Sequence, residues 1–276
     1  MEPFYRYTIG PLRLQNYTQN VSKIHIFTFK SSVYFTKLIF GGAMTVNERI
    51  ILALDGFKNK EDLLLFAGEV AHRVYAIKLH EALDRFGPGL IRELRDLGAR
   101  RVWPDMKFFD TPDTVRLRAR MYCDLGADIL TVHALGGIAM MRAASETGLE
   151  IFVVTLLTSF EIANMPWISS IENAVYYLAL AAKSAGAHGI VCSPHEAAAF
   201  ATLPEFQGLK FVTPGIRWEE DDPHDQRRIM TPSGALEAGA HHIVAGRMVT
   251  LAPDPIAAFE WLDSEVRNHR KGDRNA

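Results

Sequence analysis

One alternation constrains this chain more than any other feature: short, continuous apolar runs alternate with longer amphipathic stretches, eight times over. The runs are Ile50 to Leu54, Val74 to Leu79, Arg101 to Met106, Ile129 to His133, Ile151 to Leu157, Gly189 to Cys192, Lys210 to Thr213 and His242 to Ala245. Helical spacing occupies stretches between and after them, as in Asp62 to His72, Leu90 to Leu97, Thr114 to Leu125, Ala174 to Ala185 and Pro255 to Arg267. A run that is apolar at successive positions fits a parallel strand covered on both faces. Strands alternating with helices give right-handed βαβ units. Eight of them predict an α/β chain folded as a single-domain (β/α)8 barrel.

Punctuation supports the count. Gly98-Ala99, Gly126-Ala127, Gly186-Ala187 and Gly239-Ala240 each stand just before a run, where a helix would end on a left-handed glycine. An open doubly wound sheet would usually carry a glycine-rich loop after its first strand. Here the first run ends in Asp55-Gly56-Phe57-Lys58, without that loop.

Polar residues gather where the runs finish: Asp55, Lys78, Asp105 with Lys107, His133, Thr158-Ser159, Ser193, Gly215-Ile216-Arg217 and Gly246-Arg247. In a barrel all of these lie at the C-terminal mouth, where active sites of this fold are built. Lys78 interrupts an otherwise apolar run, and a buried lysine needs a carboxylate, for which Asp105 and Asp55 are the nearest candidates. The densest stretch is DMKFFDTPDT, from Asp105 to Thr114. On a strand, the period of two puts Asp105 and Lys107 on one face. Asp110 follows in a loop, and Thr111-Pro112-Asp113 reads as a helix start. A D-x-K-x-x-D match alone is equally a surface ion pair; its company at the mouth favours a site. After runs seven and eight, Gly215 and Gly246 permit close backbone approach, and Arg217 and Arg247 offer forked donors for phosphate. The charged segment from Trp218 to Met230 has the composition of a mobile lid, with Gln226 in reach of a ligand.

Composition sets the outer limits. With 48% hydrophobic residues and a net charge of −2, the chain has material for a large core and no bulk attraction for nucleic acid or an anionic membrane. No apolar run approaches the roughly 18 residues that span a bilayer. Cys123 and Cys192 fit neither a disulfide framework nor a metal spacing, and read as buried small hydrophobes in a reducing cytoplasm. His133, His195, His241 and His242 share no ligand spacing, so no metal is expected. Residues 1–43 hold nine Phe or Tyr, five basic residues and one acid, with no secretory pattern. They read as an extension, with Met44 as the expected natural start; mass spectrometry of the native N-terminus tests this. The barrel is expected over 44–267 and a frayed polar tail over 268–276.

From about Ile50 to Ala258 the chain resembles the bacterial type of the orotidine 5′-phosphate decarboxylase family. The matching pieces are LALD ending at Asp55, IKL around Lys78, DMKFFDTPDT, TVHALGG from Thr131, TLLTS from Thr155, VCSPHE from Val191, VTPGIR ending at Arg217, DQRRIMTP from Asp225 and VAGR ending at Arg247. The resemblance implies cofactor-free decarboxylation of orotidine 5′-monophosphate to UMP, the last step of de novo pyrimidine synthesis. It also implies a cytoplasmic homodimer with shared sites. Lys78, Asp105, Lys107 and Asp110 would form an alternating charged array, with Lys107 the proton donor to C6. Asp110, Thr111 and Thr114 would reach the neighbouring subunit's site. Asp55 and Lys78 would hold the ribose, Thr158 the pyrimidine, and Gln226, Arg217, Gly246 and Arg247 the phosphate end. Family members commonly read D-I-P-N-T where this chain has Asp110-Thr111-Pro112-Asp113-Thr114, and a histidine where it has Phe109; tolerated drift at a helix cap is the favoured reading, and a more polar pocket that slows turnover is the other. The competing readings are a metal-dependent keto-sugar-phosphate decarboxylase of the same superfamily and a barrel that binds nucleotides without turnover.

Overall fold

The computed structural model describes residues 46–157, 168–218 and 230–272, with side chains to residue 269. Residues 1–45, Thr158, Gln226, residues 219–229 of the lid expected over Trp218 to Met230, and the last four residues lie outside the described residues.

Eight strands run parallel: β1 (Asn47–Ala53), β2 (Val74–Leu79), β3 (Val102–Pro104), β4 (Ile129–His133), β5 (Glu150–Val154), β6 (Gly189–Val191), β7 (Lys210–Thr213) and β8 (His242–Ala245). Their order is β3-β2-β1-β8-β7-β6-β5-β4. The two outer strands meet at Val102, whose carbonyl accepts from Asp128 N (3.0 Å), and at Phe108, which bridges to Val132 and bonds with Thr131 O (3.0 Å) and His133 N (2.9 Å). The result is the expected (β/α)8 barrel. The helices are α1 (Lys60–Val70), α2 (Glu81–Phe86), α3 (Leu90–Asp96), α4 (Pro112–Asp124), α5 (Gly137–Ser145), α6 (Ile171–Ser184), α7 (Pro194–Phe200), α8 (Pro232–Glu237), α9 (Arg247–Thr250) and α10 (Pro255–Gly272). Gly98, Gly126, Gly186 and Gly239 all have positive φ, between 83° and 96°, as helix stops before a strand should.

Alternation along the strands builds two cores. Ile50, Leu52 and Leu54 pack outward against helices with Leu63, Phe66, Leu262 and others, while Ile51, Ala53, Ala76, Trp103, Phe152, Val212 and Val244 fill the barrel. Trp103 meets Phe152 edge-on at 5.2 Å, and its Nε1 donates to Thr131 Oγ1 at 2.7 Å, so the buried indole is satisfied. Below this layer a polar floor closes the N-terminal end. There the Glu150 carboxylate accepts from Tyr75 Oη (2.9 Å) and Lys210 Nζ, while Arg101 and the stacked ring of His242 cover the Tyr75 ring. Burial would push the Glu150 carboxyl up, but its bonds to Lys210 and Tyr75 outweigh this and hold it below the ordinary range.

Several expectations change: β1 runs Asn47–Ala53 rather than Ile50 to Leu54, and β6 ends at Val191, one short of Cys192. β3 stops at Pro104 because Lys107 is left-handed (φ 46), so the extended chain breaks before Phe108 resumes pairing. β5 stops at Val154, short of Leu157. Cys192 is buried, but Cys123 is exposed: on α4 the helical spacing gives the inward positions to Val115, Ala119 and Tyr122. Helix α10 continues past Arg267 into the stretch expected to be tail.

Candidate active site

The ends of β1, β2 and β3 bring the acids and lysines together. The register pairs Ala53 with Lys78 and Lys78 with Trp103, so Asp55 and Asp105, each two residues beyond its paired position, flank the Lys78 side chain. Lys78 Nζ lies 3.0 Å from Asp105 Oδ2 and 3.3 Å from Asp55 Oδ2. Lys107 Nζ donates to the same Asp105 oxygen at 2.9 Å. One buried carboxylate thus joins two ammonium groups. Burial alone would raise the Asp105 carboxyl, but Lys78 and Lys107 outweigh it and hold it well below the usual carboxylate range. Burial would lower the Lys78 ammonium, and here Asp105 and then Asp55 reverse the sign and raise it. Asp55 is fixed from its other side: its Oδ1 accepts from His80 N (2.9 Å) and its carbonyl from Thr250 Oγ1 (3.2 Å).

The period-of-two expectation for Asp105 and Lys107 reaches the right contact by the wrong route. No strand continues there; the left-handed turn at Lys107 folds its side chain back over Asp105. A non-glycine residue in that region costs roughly 1–2 kcal/mol and is held by the bonds of Phe108 to β4.

These residues line a cavity of about 630 Å³ at the C-terminal mouth, together with Gly215, Arg217, Gly246 and Arg247. Lys107 therefore faces the mouth flanked by both arginines. Gly215 is left-handed (φ 81), and the Arg217 side chain is buried, its Nη1 donating to Ile216 O at 2.7 Å. Gly246 precedes α9 and is packed so that an added Cβ would touch the Ala53 Cβ at 3.4 Å. His80, Glu81, Trp103, Leu156, Cys192 and Leu251 are among the other wall residues, and none of them is among the site residues expected from the sequence. Trp103 and Cys192 were readable: one stands two before Asp105, the other ends the sixth run.

Asp110 is not brought into this cavity. It is exposed, with Oδ1 accepting from Thr111 N at 2.7 Å. Thr111 occupies the N-cap of α4 and Pro112 follows, as expected, but the Thr111 hydroxyl donates to Thr114 Oγ1 (3.0 Å) rather than capping the helix. Ser193 is committed to a capping box with Glu196 at the start of α7. His133 ends β4 beside Phe109, with Nδ1 buried and without a hydrogen-bond partner among the described residues; burial and then Lys107 keep its pKa below the ordinary value. Among the described residues no group of three or more His, Cys, Asp or Glu is placed to hold a metal ion.

A closed barrel whose strand ends converge on one charged mouth is the anatomy of a (β/α)8-barrel enzyme. The chain belongs to the orotidine 5′-phosphate decarboxylase / HUMPS family, whose model matches residues 48–261. It is 39% identical over 232 residues to an orotidine 5′-phosphate decarboxylase of Nitrosococcus oceani, covering 80% of this chain and 98% of that protein. The match to the corresponding Escherichia coli protein (strain E24377A) is 36% over 232 residues, covering 80% and 94%. Among solved structures, orotidine 5′-phosphate decarboxylase from Lactobacillus acidophilus superimposes with a TM-score of 0.66 at 32% identity, over 80% of this chain and 99% of that one.

Proposed function

We propose that this carboxy-lyase converts orotidine 5′-monophosphate to UMP and CO2 without a cofactor. The observation that carries the reading is the shared carboxylate: Asp105 Oδ2 lies 3.0 Å from Lys78 Nζ and 2.9 Å from Lys107 Nζ, in the cavity that also holds Arg217 and Arg247. Loss of CO2 from C6 leaves a carbanion with little delocalisation. An ammonium fixed beside C6 stabilises that charge and then delivers the proton, the role assigned to Lys107. Asp105, held ionised, orients both lysines and faces the substrate carboxylate, a like-charge contact relieved as CO2 departs. Asp55 and Lys78 take the ribose hydroxyls; Arg217, Arg247 and the Gly246 backbone take the phosphate. Thr158 and Gln226, assigned to the pyrimidine and phosphate ends, lie outside the described residues. Binding energy at the remote phosphate lowers the barrier at the pyrimidine.

The same reading makes the protein a homodimer in which Asp110, Thr111 and Thr114 enter the partner's site. Asp110 faces outward beside exposed apolar side chains: Phe109, Leu117, Met121, Leu135 and Ile138 are each 43% or more exposed, which supports a covered face there. Nucleotide binding and a cytoplasmic location belong to this reading too; the two free cysteines agree with a reducing compartment, and no helix among the described residues is long and apolar enough to cross a membrane.

Following the ultraviolet absorbance of orotidine monophosphate in EDTA tests the proposal. Chelator-insensitive loss supports it. Chelator-sensitive turnover of a keto-sugar phosphate would favour the metal-dependent alternative, and tight UMP binding without turnover a non-catalytic barrel.

A further inference from the structure

Arg217 leaves the barrel on a backbone held from both sides. Before it, Gly215 turns the chain, Met230 N donates to Gly215 O (3.3 Å) and Arg217 N donates to Met230 O (3.1 Å), making a one-residue bridge between Ile216 and Met230. After it, the Trp218 indole lies flat on Trp261, with ring centroids 4.3 Å apart and planes 12° from parallel. Trp261 belongs to α10, and α10 is anchored to the barrel around it. Phe259 is buried under the Arg73 guanidinium at 4.7 Å, and buried Asp263 accepts from Asn47 Nδ2 at 2.9 Å. Trp261 as a residue is nonetheless 61% exposed, so core packing does not account for a tryptophan at this position. What the ring does contact leads straight to the site: Trp218 is bonded to Arg217. Both indoles line a second cavity, of about 550 Å³, whose wall includes Arg217 and Arg247.

We infer that Trp261 is a positioning residue: through Trp218 it sets the backbone at 217–218 and so aims the Arg217 guanidinium at the substrate phosphate. Stacked aromatics hold their partner in one plane, and a planar fork loses its paired geometry when its backbone turns. The inference rests on the reading of Arg217 as a phosphate ligand, and the experiment separates the two.

Steady-state constants are measured for wild type, Trp261→Ala, Trp261→Phe and Arg217→Ala, with orotidine 5′-monophosphate and with phosphate-free orotidine. Trp261→Ala is expected to raise KM for the nucleotide about fivefold, with most of the loss in KM rather than kcat, and to leave kcat/KM for orotidine unchanged. Trp261→Phe, which restores a stacking ring, recovers most of the affinity. A wild-type KM in Trp261→Ala while Arg217→Ala is impaired overturns the positioning role alone. Equal losses on both substrates overturn it as well, since they mark a general disturbance. An unimpaired Arg217→Ala overturns the phosphate assignment and this inference with it.

Discussion

Lys107 Nζ reaches Asp105 Oδ2 at 2.9 Å because the Lys107 backbone is left-handed, at φ 46, two residues after the acid. Conformational strain is thus stored in the residue assigned the chemistry. Lys107→Ala is expected to fold normally and to lose turnover by a factor on the order of 10⁴, since the proton delivery and carbanion stabilisation proposed for it vanish together. Lys107→Gly is expected to be equally inactive but more stable than the alanine variant by about 1 kcal/mol, because glycine adopts that backbone without strain. Urea unfolding of the two variants side by side checks this.

Removing the shared acid should cost stability as well as activity. Asp105→Asn leaves Lys78 buried with Asp55 alone, and breaking a buried pair of this kind costs roughly 2–4 kcal/mol near neutral pH. The native Asp105 carboxyl is depressed, so its stabilisation is present above the ordinary carboxylate range and fades as pH falls below it. The stability gap between wild type and Asp105→Asn should therefore narrow below about pH 4. Equal gaps at pH 7 and pH 3 would contradict the ion-pair account.

Acid should also loosen the floor of the barrel, at a higher pH. Burial holds the His242 imidazole down at about 4, against 6.5 ordinarily, while its Nδ1 bonds Glu48 O at 2.8 Å and its ring stacks on Tyr75 at 3.9 Å. With the folded pKa below the unfolded one, the unfolded chain takes up the proton first. Stability is then full above about pH 6.5 and declines by roughly 3 kcal/mol on the way to pH 4. His242→Gln keeps a hydrogen-bond donor and no titrating group, so chemical unfolding between pH 7 and 4.5 should show a flatter profile for it.

The dimer proposal makes a stoichiometric prediction. Leu117→Glu with Met121→Glu charges the exposed face of α4, and sedimentation should report a monomer with little activity. Mixed and re-equilibrated Lys107→Ala and Asp110→Ala chains should regain about a quarter of wild-type activity, because each hybrid dimer keeps one intact site. No recovery would place Asp110 in its own chain's site.

Much of the barrel was legible because its strands are buried on both faces. β2, β4, β7 and β8 match their apolar runs to the residue. β3 did not, because a run of side-chain character carries no record of backbone handedness: nothing in Asp105-Met106-Lys107 announces a lysine at positive φ. Asp55, Lys78, Asp105 and Lys107 were found as charges at strand ends, where burial makes each need a partner. The floor of Tyr75, Glu150, Lys210 and His242 went unread, since its members come from four strand starts and meet only when the sheet closes. The stack of Trp218 on Trp261 is hidden for the same reason, joining a strand-seven loop to the last helix.

The join between the two outer strands has a consequence of its own. Phe108 closes the upper end of the β3–β4 seam, whose lower end is held by Asp128 N donating to Val102 O at 3.0 Å, and it is the immediate neighbour of Lys107. Opening that upper end would free the lysine from its twisted pose while the other strand pairings stayed intact. Heat, denaturant or a cut nearby should therefore silence the protein while most of its secondary structure survives, with the amides of Phe108 and His133 exchanging early.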